Sequence, residues 1–250
     1  MVRLLTAGVT DVGLRLNNED AYLTSPELGF FALSDGMGGA ASGEIASRCF
    51  IDTAREIFES RNHETAEVLC SMVHEVFRRS NSRILDHGAE SPSNRGMGCT
   101  GELLAFHKEL YMIGHVGDSR IYLFRDGKLR QITKDHSLVQ SQVDGGVLSP
   151  EEARNHPRKN IILRAIGIDP ALQLDVIKGT VRDQDTFLIC SDGLTDAIDD
   201  GRIREILSSG IAIDRMARTL IQSALSSGAK DNITVILCKR ILSSLLDQWQ

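Results

Sequence analysis

The chain has 250 residues, 42% of them hydrophobic and 25% charged, with a formal net charge of −6. That length and balance fit a folded chain of one large domain or two small ones with an ordinary core. The acidic surplus without a basic stripe excludes nucleic-acid binding as the main task, and no apolar run approaches the length of a membrane span.

Residues 4–10 alternate loosely and predict a first strand. Residues 13–20, Gly-Leu-Arg-Leu-Asn-Asn-Glu-Asp, are a polar loop that brings Arg15, Glu19 and Asp20 close together in sequence; taken alone, such a stretch is a solvated turn. Phe30-Phe31-Ala32-Leu33 then forms a short apolar run bounded by glycines, the pattern of a buried strand. Ile45, Cys49, Ala54, Ile57 and Phe58 fall at helical spacing, with Ser42 or Gly43 placed to cap the helix and Glu44 in its first turn. A second helix is predicted over about 64–85, and together the two cover one face of a sheet. His63, His74 and His87 ride on or beside these helices as surface or interhelix residues. After a Gly/Ser/Asn/Pro-rich loop at 88–98, strands are expected at 100–106, 110–116 and 121–124, at hairpin spacing and therefore antiparallel. Asp126-Gly127 reads as a plain hairpin turn.

From 135 to 160 the chain is polar and irregular, with a helical stretch at 138–143 and a helix start at Ser149-Pro150-Glu151-Glu152, where a capping serine precedes proline and an acid. We read it as a flap inserted between strands. The core is expected to resume at 161–166, 172–180 and 186–190. Two helices follow, the clearer marked by Ile213, Met216, Ala217, Leu220, Ile221 and Ala224. A last strand is predicted at 233–238, and the tail 241–250 carries the only tryptophan, Trp249. The expected fold is α+β: two antiparallel sheets face to face with a helix pair outside each, a four-layer α-β-β-α sandwich. Residues 1–240 form one catalytic domain in this reading, with 135–160 as the flap and 241–250 as the tail.

One phrase recurs. Phe30 to Leu33 runs into Ser34-Asp35-Gly36-Met37-Gly38-Gly39. Phe187-Leu188-Ile189-Cys190 runs into Ser191-Asp192-Gly193, and Tyr111 to Val116 into Gly117-Asp118-Ser119. Asp231 stands just before the last strand. A single Asp-Gly is most simply a turn, but several aspartates released from apolar strands point to one site. Carboxylates gathered beside a core repel one another and must take up protons or meet cations. No His or Cys pair lies beside them, so the donors are hard oxygens, which suit Mg²⁺, Mn²⁺ or Ca²⁺. The spread of the acids along the chain does not match an EF-hand. Two Mg²⁺ or Mn²⁺ ions bridged by a carboxylate and a water fit, a pair that activates hydroxide against a phosphate ester. Arg15 supplies a planar grip for the phosphate. The five cysteines (Cys49, Cys70, Cys99, Cys190, Cys238) form no Cys-x-x-Cys pair. They predict a reducing compartment without disulfides or zinc, and the N-terminus is too short in apolar residues for a signal peptide. A soluble cytoplasmic protein is expected.

Arg15-x-x-Asn18-Glu19-Asp20, Asp35-Gly36-Met37-Gly38-Gly39, Val116-Gly117-Asp118-Ser119-Arg120, Ser191-Asp192-Gly193 and Asp231-Asn232 occur in the order seen in metal-dependent protein phosphatases of type 2C, which the chain resembles from about 4 to 238. Lesser matches are Met97-Gly98-Cys99-Thr100, Thr133-Lys134-Asp135-His136-Ser137 and Arg164-Ala165-Ile166-Gly167. The resemblance implies the β-sandwich between helix pairs and hydrolysis of phosphoserine and phosphothreonine in proteins, opposing a serine/threonine kinase. It further implies that Asp35 bridges two metals and that Asp192 and Asp231 bind the first. The carbonyl of Gly36 binds the second, with Glu19 reaching it through water. Asp118 holds a third, weaker ion with Asp192, and Arg15 holds the phosphate. Eukaryotic members often carry histidine where this chain has Met37, which cannot donate a proton; bacterial members commonly have methionine. A metal-bound water is then the candidate acid. His115, His136 and His156 are candidates to enter the site, with a structural role the simpler reading of each. Two alternatives remain: a non-catalytic relative that binds a partner through the flap, and a hydrolase of small phosphomonoesters.

Overall fold

In the computed structural model, which describes residues 2–38 and 42–242, the apolar run at 30–33 begins strand β3 (Phe30–Met37). Its first four residues are wholly buried, because both faces of the strand are covered. That is why the run is continuous rather than alternating. Strand β3 lies between β2 (Asp20–Ser25) and β5 (Gly101–His107). The sheet continues through β6 (Leu110–Val116) to β9 (Asp175–Thr180), and the two-residue β4 (Gly98–Cys99) pairs with the end of β3. The second sheet holds, in spatial order, β1 (Val2–Asp11), β11 (Ile233–Leu242), β10 (Thr186–Cys190), β7 (Arg120–Arg125) and β8 (Lys128–Gln131). Every pairing is antiparallel.

Alternation along the strands sorts the core into layers. Phe30 and Ala32 face helices α1 (Ser42–Ser60) and α2 (Ala66–Glu90). Phe31 and Leu33 point the other way, where with Leu104 and Ile113 they meet Phe187, Ile189 and Ile236 of the opposite sheet. The outer face of that sheet carries Leu188, Val235 and Leu237. These pack beneath α5 (Asp192–Ala197), α6 (Asp200–Leu207) and α7 (Ile213–Ser226). The four-layer α-β-β-α sandwich read from the sequence is the observed fold.

Several local expectations change. Strand β2 replaces the end of the polar loop: Asp20 is already its first residue, paired with Asp35. Residues 161–166 are not a core strand. They make only isolated bridges, Ser137 to Ile162 and Cys99 to Ile166, and Ile161 and Leu163 are exposed. The strand expected over 172–180 starts at Asp175, and three helices rather than two follow β10. Helix α2 is capped by Thr65 and extends five residues beyond 85. Ser42 is the first helical residue of α1, and its hydroxyl donates to the Ser93 carbonyl. At Asp126-Gly127 both residues have positive φ, 52° and 73°, as a two-residue hairpin requires. Between β8 and β9 stand α3 (Leu138–Asp144) and α4 (Pro150–Arg154), the latter opened by a full capping box of Ser149 and Glu152. Gly39 and the tail beyond 242, with Trp249, lie outside the described residues.

Candidate active site

The acids read from the sequence emerge at one end of the sandwich. Asp20 and Asp35 are cross-strand neighbours on the first sheet. Asp118 leaves β6 in the turn before β7, Asp192 opens α5 straight after β10, and Asp231 precedes β11. These strands are mainly apolar inside the core and turn acidic where they leave it. The sheets' packing brings the five ends together.

A lattice of hydroxyls fixes them. The Ser191 hydroxyl donates to Asp20 Oδ2 at 2.8 Å and the Thr234 hydroxyl donates to the same oxygen at 2.6 Å. Ser191 Oγ in turn accepts from the Thr234 amide. The residue before Asp192 and a residue three beyond Asp231 are thereby tied to Asp20 across the gap between the sheets. On the other flank Thr100 Oγ1 accepts from the Asp35 amide at 2.9 Å and lies 2.9 Å from Ser119 Oγ, beside Asp118. Asn232 fixes the polar loop: its Oδ1 accepts from the Glu19 amide, and its Nδ2 donates to the carbonyls of Val12 and Asn17.

Burial and mutual repulsion act on Asp20, Asp35, Asp118 and Asp192. Burial first, then Asp20, Asp192, Asp118 and Asp231, pushes Asp35 well above the usual carboxylate range. Asp192 is raised likewise, by burial and then by Asp118, Asp196 and Asp231. Burial lifts Asp118 to about 7, reinforced by Asp135, and Asp20 to about 6 against its two hydroxyl donors. Glu19 is raised by burial and eased by Arg15. Asp20 Oδ1 and Asp192 Oδ1 are buried with no hydrogen-bond partner.

Glycines let the backbone close in. A Cβ on Gly36 would lie 2.2 Å from the Gly43 carbonyl oxygen, and one on Gly43 would lie 2.1 Å from Glu19 Oε2. Glu19 therefore sits over the start of α1, beside Gly36. Arg15 is half exposed and donates to Asp231 Oδ2 at 2.6 Å, so the expected phosphate-holding group is here in an ion pair with an expected metal ligand. Among the described residues, no three His, Cys, Asp or Glu side chains already converge tightly enough to hold an ion; the carboxylates border a shared space instead. Beside it, a cavity of about 580 Å³ runs under α3 and α4, reaching from Asp118 and Asp192 to Val139, Ala153 and Arg154.

The histidines stay out of this space. Both ring nitrogens of His115 are engaged inside the sandwich. His136 accepts from the Gly117 amide and faces Asp175, and His156 Nδ1 accepts from the Arg158 amide. Asp20 is the residue whose part the sequence hid. It stood in plain view beside Glu19, but its hydroxyl partners lie 171 and 214 positions away.

The protein phosphatase 2C family model matches residues 11–237. This chain belongs to the protein phosphatase 2C family. Among its family relatives, the serine/threonine phosphatase stp of Listeria monocytogenes serovar 1/2a is 35% identical over 239 residues, 94% of this chain and 95% of the relative. A crystal structure of the Mycobacterium tuberculosis serine/threonine phosphatase PstP/Ppp superposes with a TM-score of 0.88 at 37% identity, covering 95% of this chain and 98% of that one. The PstP catalytic domain in complex with two manganese ions gives 0.87 at 36% identity, covering 97% and 100%. The α-β-β-α layers of this phosphatase 2C chain are thus those of its family.

Proposed function

We propose that this chain is a protein serine/threonine phosphatase, hydrolysing phosphoserine and phosphothreonine monoesters with two Mn²⁺ or Mg²⁺ ions and opposing a serine/threonine kinase. One observation carries the reading: buried acids from both sheets repel one another across one space, at whose edge Arg15 pairs with Asp231. Two like charges 4 Å apart repel by about 4 kcal/mol at an effective dielectric near 20, so neutralisation by divalent cations suits the group better than by one guanidinium. The residues fit such ions. All donors are hard oxygens, and the orphaned Asp192 Oδ1 and Asp20 Oδ1 are lone pairs awaiting a partner. In this assignment Asp35 would serve both ions, Asp192 and Asp231 would hold the first, and the Gly36 carbonyl would hold the second with Glu19 acting through water. Asp118 and Asp192 would hold a third, weaker ion. When bound, these ions supply charge neutralisation for the phosphoryl oxygens and water of lowered pKa.

The chain's own groups do the rest. Arg15 turns its guanidinium from Asp231 to the phosphate oxygens, gripping two of them in a plane. Its exposure leaves it free to swing. Asp20 is a scaffold, drawing Ser191 and Thr234 together so that Asp192 and Asp231 face Asp35. Met37 has no proton to give, and His115 and His136 spend their ring nitrogens on internal bonds, so the leaving alkoxide takes its proton from water.

We read residues 1–240 as one catalytic domain, 135–160 as a flap over the substrate, and 241–250 as a tail. No described helix is long and apolar enough to cross a membrane, and all five cysteines are free, which supports a cytoplasmic placement. Purified protein with Mn²⁺ is expected to release phosphate from a phosphothreonine peptide and to stop on chelation. Asp35→Asn and Asp192→Asn are expected to abolish turnover without unfolding. Full activity in either variant sinks the ligand assignment, and faster turnover of small phosphomonoesters than of peptides would redirect the substrate class.

A further inference from the structure

Beneath the Asp118 turn lies a polar pair that the phosphatase reading leaves unused. Glu102 on β5 and His115 on β6 are cross-strand partners, both wholly buried. They point between the sheets, in the same rows as Leu104 and Ile113. His115 Nδ1 lies 2.5 Å from Glu102 Oε1, and Nε2 lies 2.8 Å from the Lys134 carbonyl. A carbonyl only accepts, so Nε2 carries a hydrogen and donates it. Glu102 holds the ring by the opposite nitrogen, which fixes that orientation. Glu102 Oε2 has no partner. Two leucines would fill these rows at no such cost, because replacing a buried ion pair with apolar residues is often neutral or stabilising. The pair is therefore poorly explained by stability.

What it touches is more telling. Lys134 begins the root of the flap segment, Lys134-Asp135-His136-Ser137. His136 lies against His115, ring centroids 4.5 Å apart. The His136 amide donates to the Gly117 carbonyl at 2.7 Å, and its Nδ1 accepts from the Gly117 amide at 3.1 Å. Gly117, at φ 116°, is gripped on both sides of its peptide, and a Cβ there would strike Thr100 at 2.6 Å. The next residue is Asp118. Asp135, between the two anchors, takes Arg120 in a bidentate pair at 2.6 to 3.0 Å.

We propose that Glu102 and His115 are positioning residues that set Asp118 and the root of the flap in register with each other, through the Lys134 carbonyl and the His136–Gly117 clasp. The inference rests on the reading of Asp118 as a ligand of the weakest ion. Losing a group that orients a ligand costs about 10–100-fold in metal affinity, and that is the size of effect expected here, confined to the weakest site.

The test compares wild type, Glu102→Leu/His115→Leu and Asp118→Asn by Mn²⁺ titration calorimetry, hydrogen exchange and thermal melting. The double leucine variant is expected to melt near wild type. Its weakest Mn²⁺ event should weaken about 10–100-fold with the tight events unchanged, and peptides over 117–119 and 134–137 should exchange faster. Wild-type Mn²⁺ affinity and exchange in that variant overturn the proposal and leave the pair as packing. Asp118→Asn separates the two readings. If it leaves all Mn²⁺ events intact, the ligand assignment has failed, and the exchange data alone decide whether the pair holds the turn. Should the double variant not fold, Glu102→Gln against His115→Leu makes the same comparison. The glutamine amide can still donate to Nδ1 and keep Nε2–H on Lys134, so Glu102→Gln retains the protected turn and His115→Leu loses it; equal behaviour of the two overturns the proposal.

Discussion

Gly36→Ala is a severe test of how the site is built, because its cost can be worked from backbone atoms alone. The added Cβ would stand 2.2 Å from the Gly43 carbonyl oxygen, 2.4 Å from its carbon and 2.7 Å from the Glu19 carbonyl oxygen. An ordinary contact needs more than a further ångström. None of these atoms ends a flexible side chain, so strand β3, the start of α1 and the Glu19 loop must part. Their fit is tight: the Gly36 amide donates to the Glu19 carbonyl, which also accepts from the Ser47 hydroxyl at 2.6 Å. Overpacking of this kind costs about 3 kcal/mol, the top of its usual range, which in a chain of this size lowers Tm by roughly 6–12 °C. Gly88→Ala is the control. Gly88 lies within α2 and its added Cβ would meet only the Asn94 carbonyl oxygen, at 3.4 Å. There alanine gains about 0.5–1 kcal/mol of helix preference. Calorimetric melting of the two variants should therefore move in opposite directions, with phosphopeptide turnover lost only in Gly36→Ala. A Gly36→Ala protein that melts within about 2 °C of wild type, less than 1 kcal/mol, refutes the argument that glycine is required by close approach.

The Asp20 carboxyl rises from 3.8 to about 6, chiefly through burial. The folded protein thus binds this proton more tightly than the unfolded chain, a preference worth roughly 3 kcal/mol that is complete below about pH 4 and lost as pH rises through 6. In EDTA, urea unfolding should show greater stability at pH 5 than at pH 7.5 from this group, and Asp20→Asn should flatten that difference; an unchanged pH dependence in Asp20→Asn contradicts it. Thr100→Val strips the Asp35 amide of its acceptor and Ser119 of its partner, and is expected to cost about 1–3 kcal/mol in urea titration, with Thr100→Ser restoring it. Arg15→Ala should lower kcat/KM on a phosphothreonine peptide about 10–100-fold, the worth of charge-assisted hydrogen bonds. Arg15→Lys should recover little of that, since an ammonium cannot make the planar grip; full recovery would reduce Arg15 to a point charge.

The residues whose chemistry is local were legible in the chain. Phe30 to Leu33 and Phe187 to Cys190 announce buried strands because both faces are covered, and the aspartates that follow them mark where each strand leaves the core. Asp126-Gly127 is a hairpin because its positive φ angles are set within two residues. The capping box at Ser149 is equally local. The stretch at 161–166 misled for the same reason it looked apolar: Ile166 is buried while Ile161 and Leu163 are exposed, and only neighbours distant in sequence decide which.

Sequence by itself thus determined most of the strands and helices, though not β2 or the fate of 161–166, and which ends are acidic, since apolar periodicity and turn chemistry act over a few residues. Tertiary structure alone decided that Asp20 joins Ser191 to Thr234, that Arg15 meets Asp231, and that Glu102 stands opposite His115. Each of these depends on strand register and on how two sheets face one another. A slip of one residue would turn Glu102 from the sandwich interior toward the helices, and nothing within Glu102's own stretch of chain records that choice.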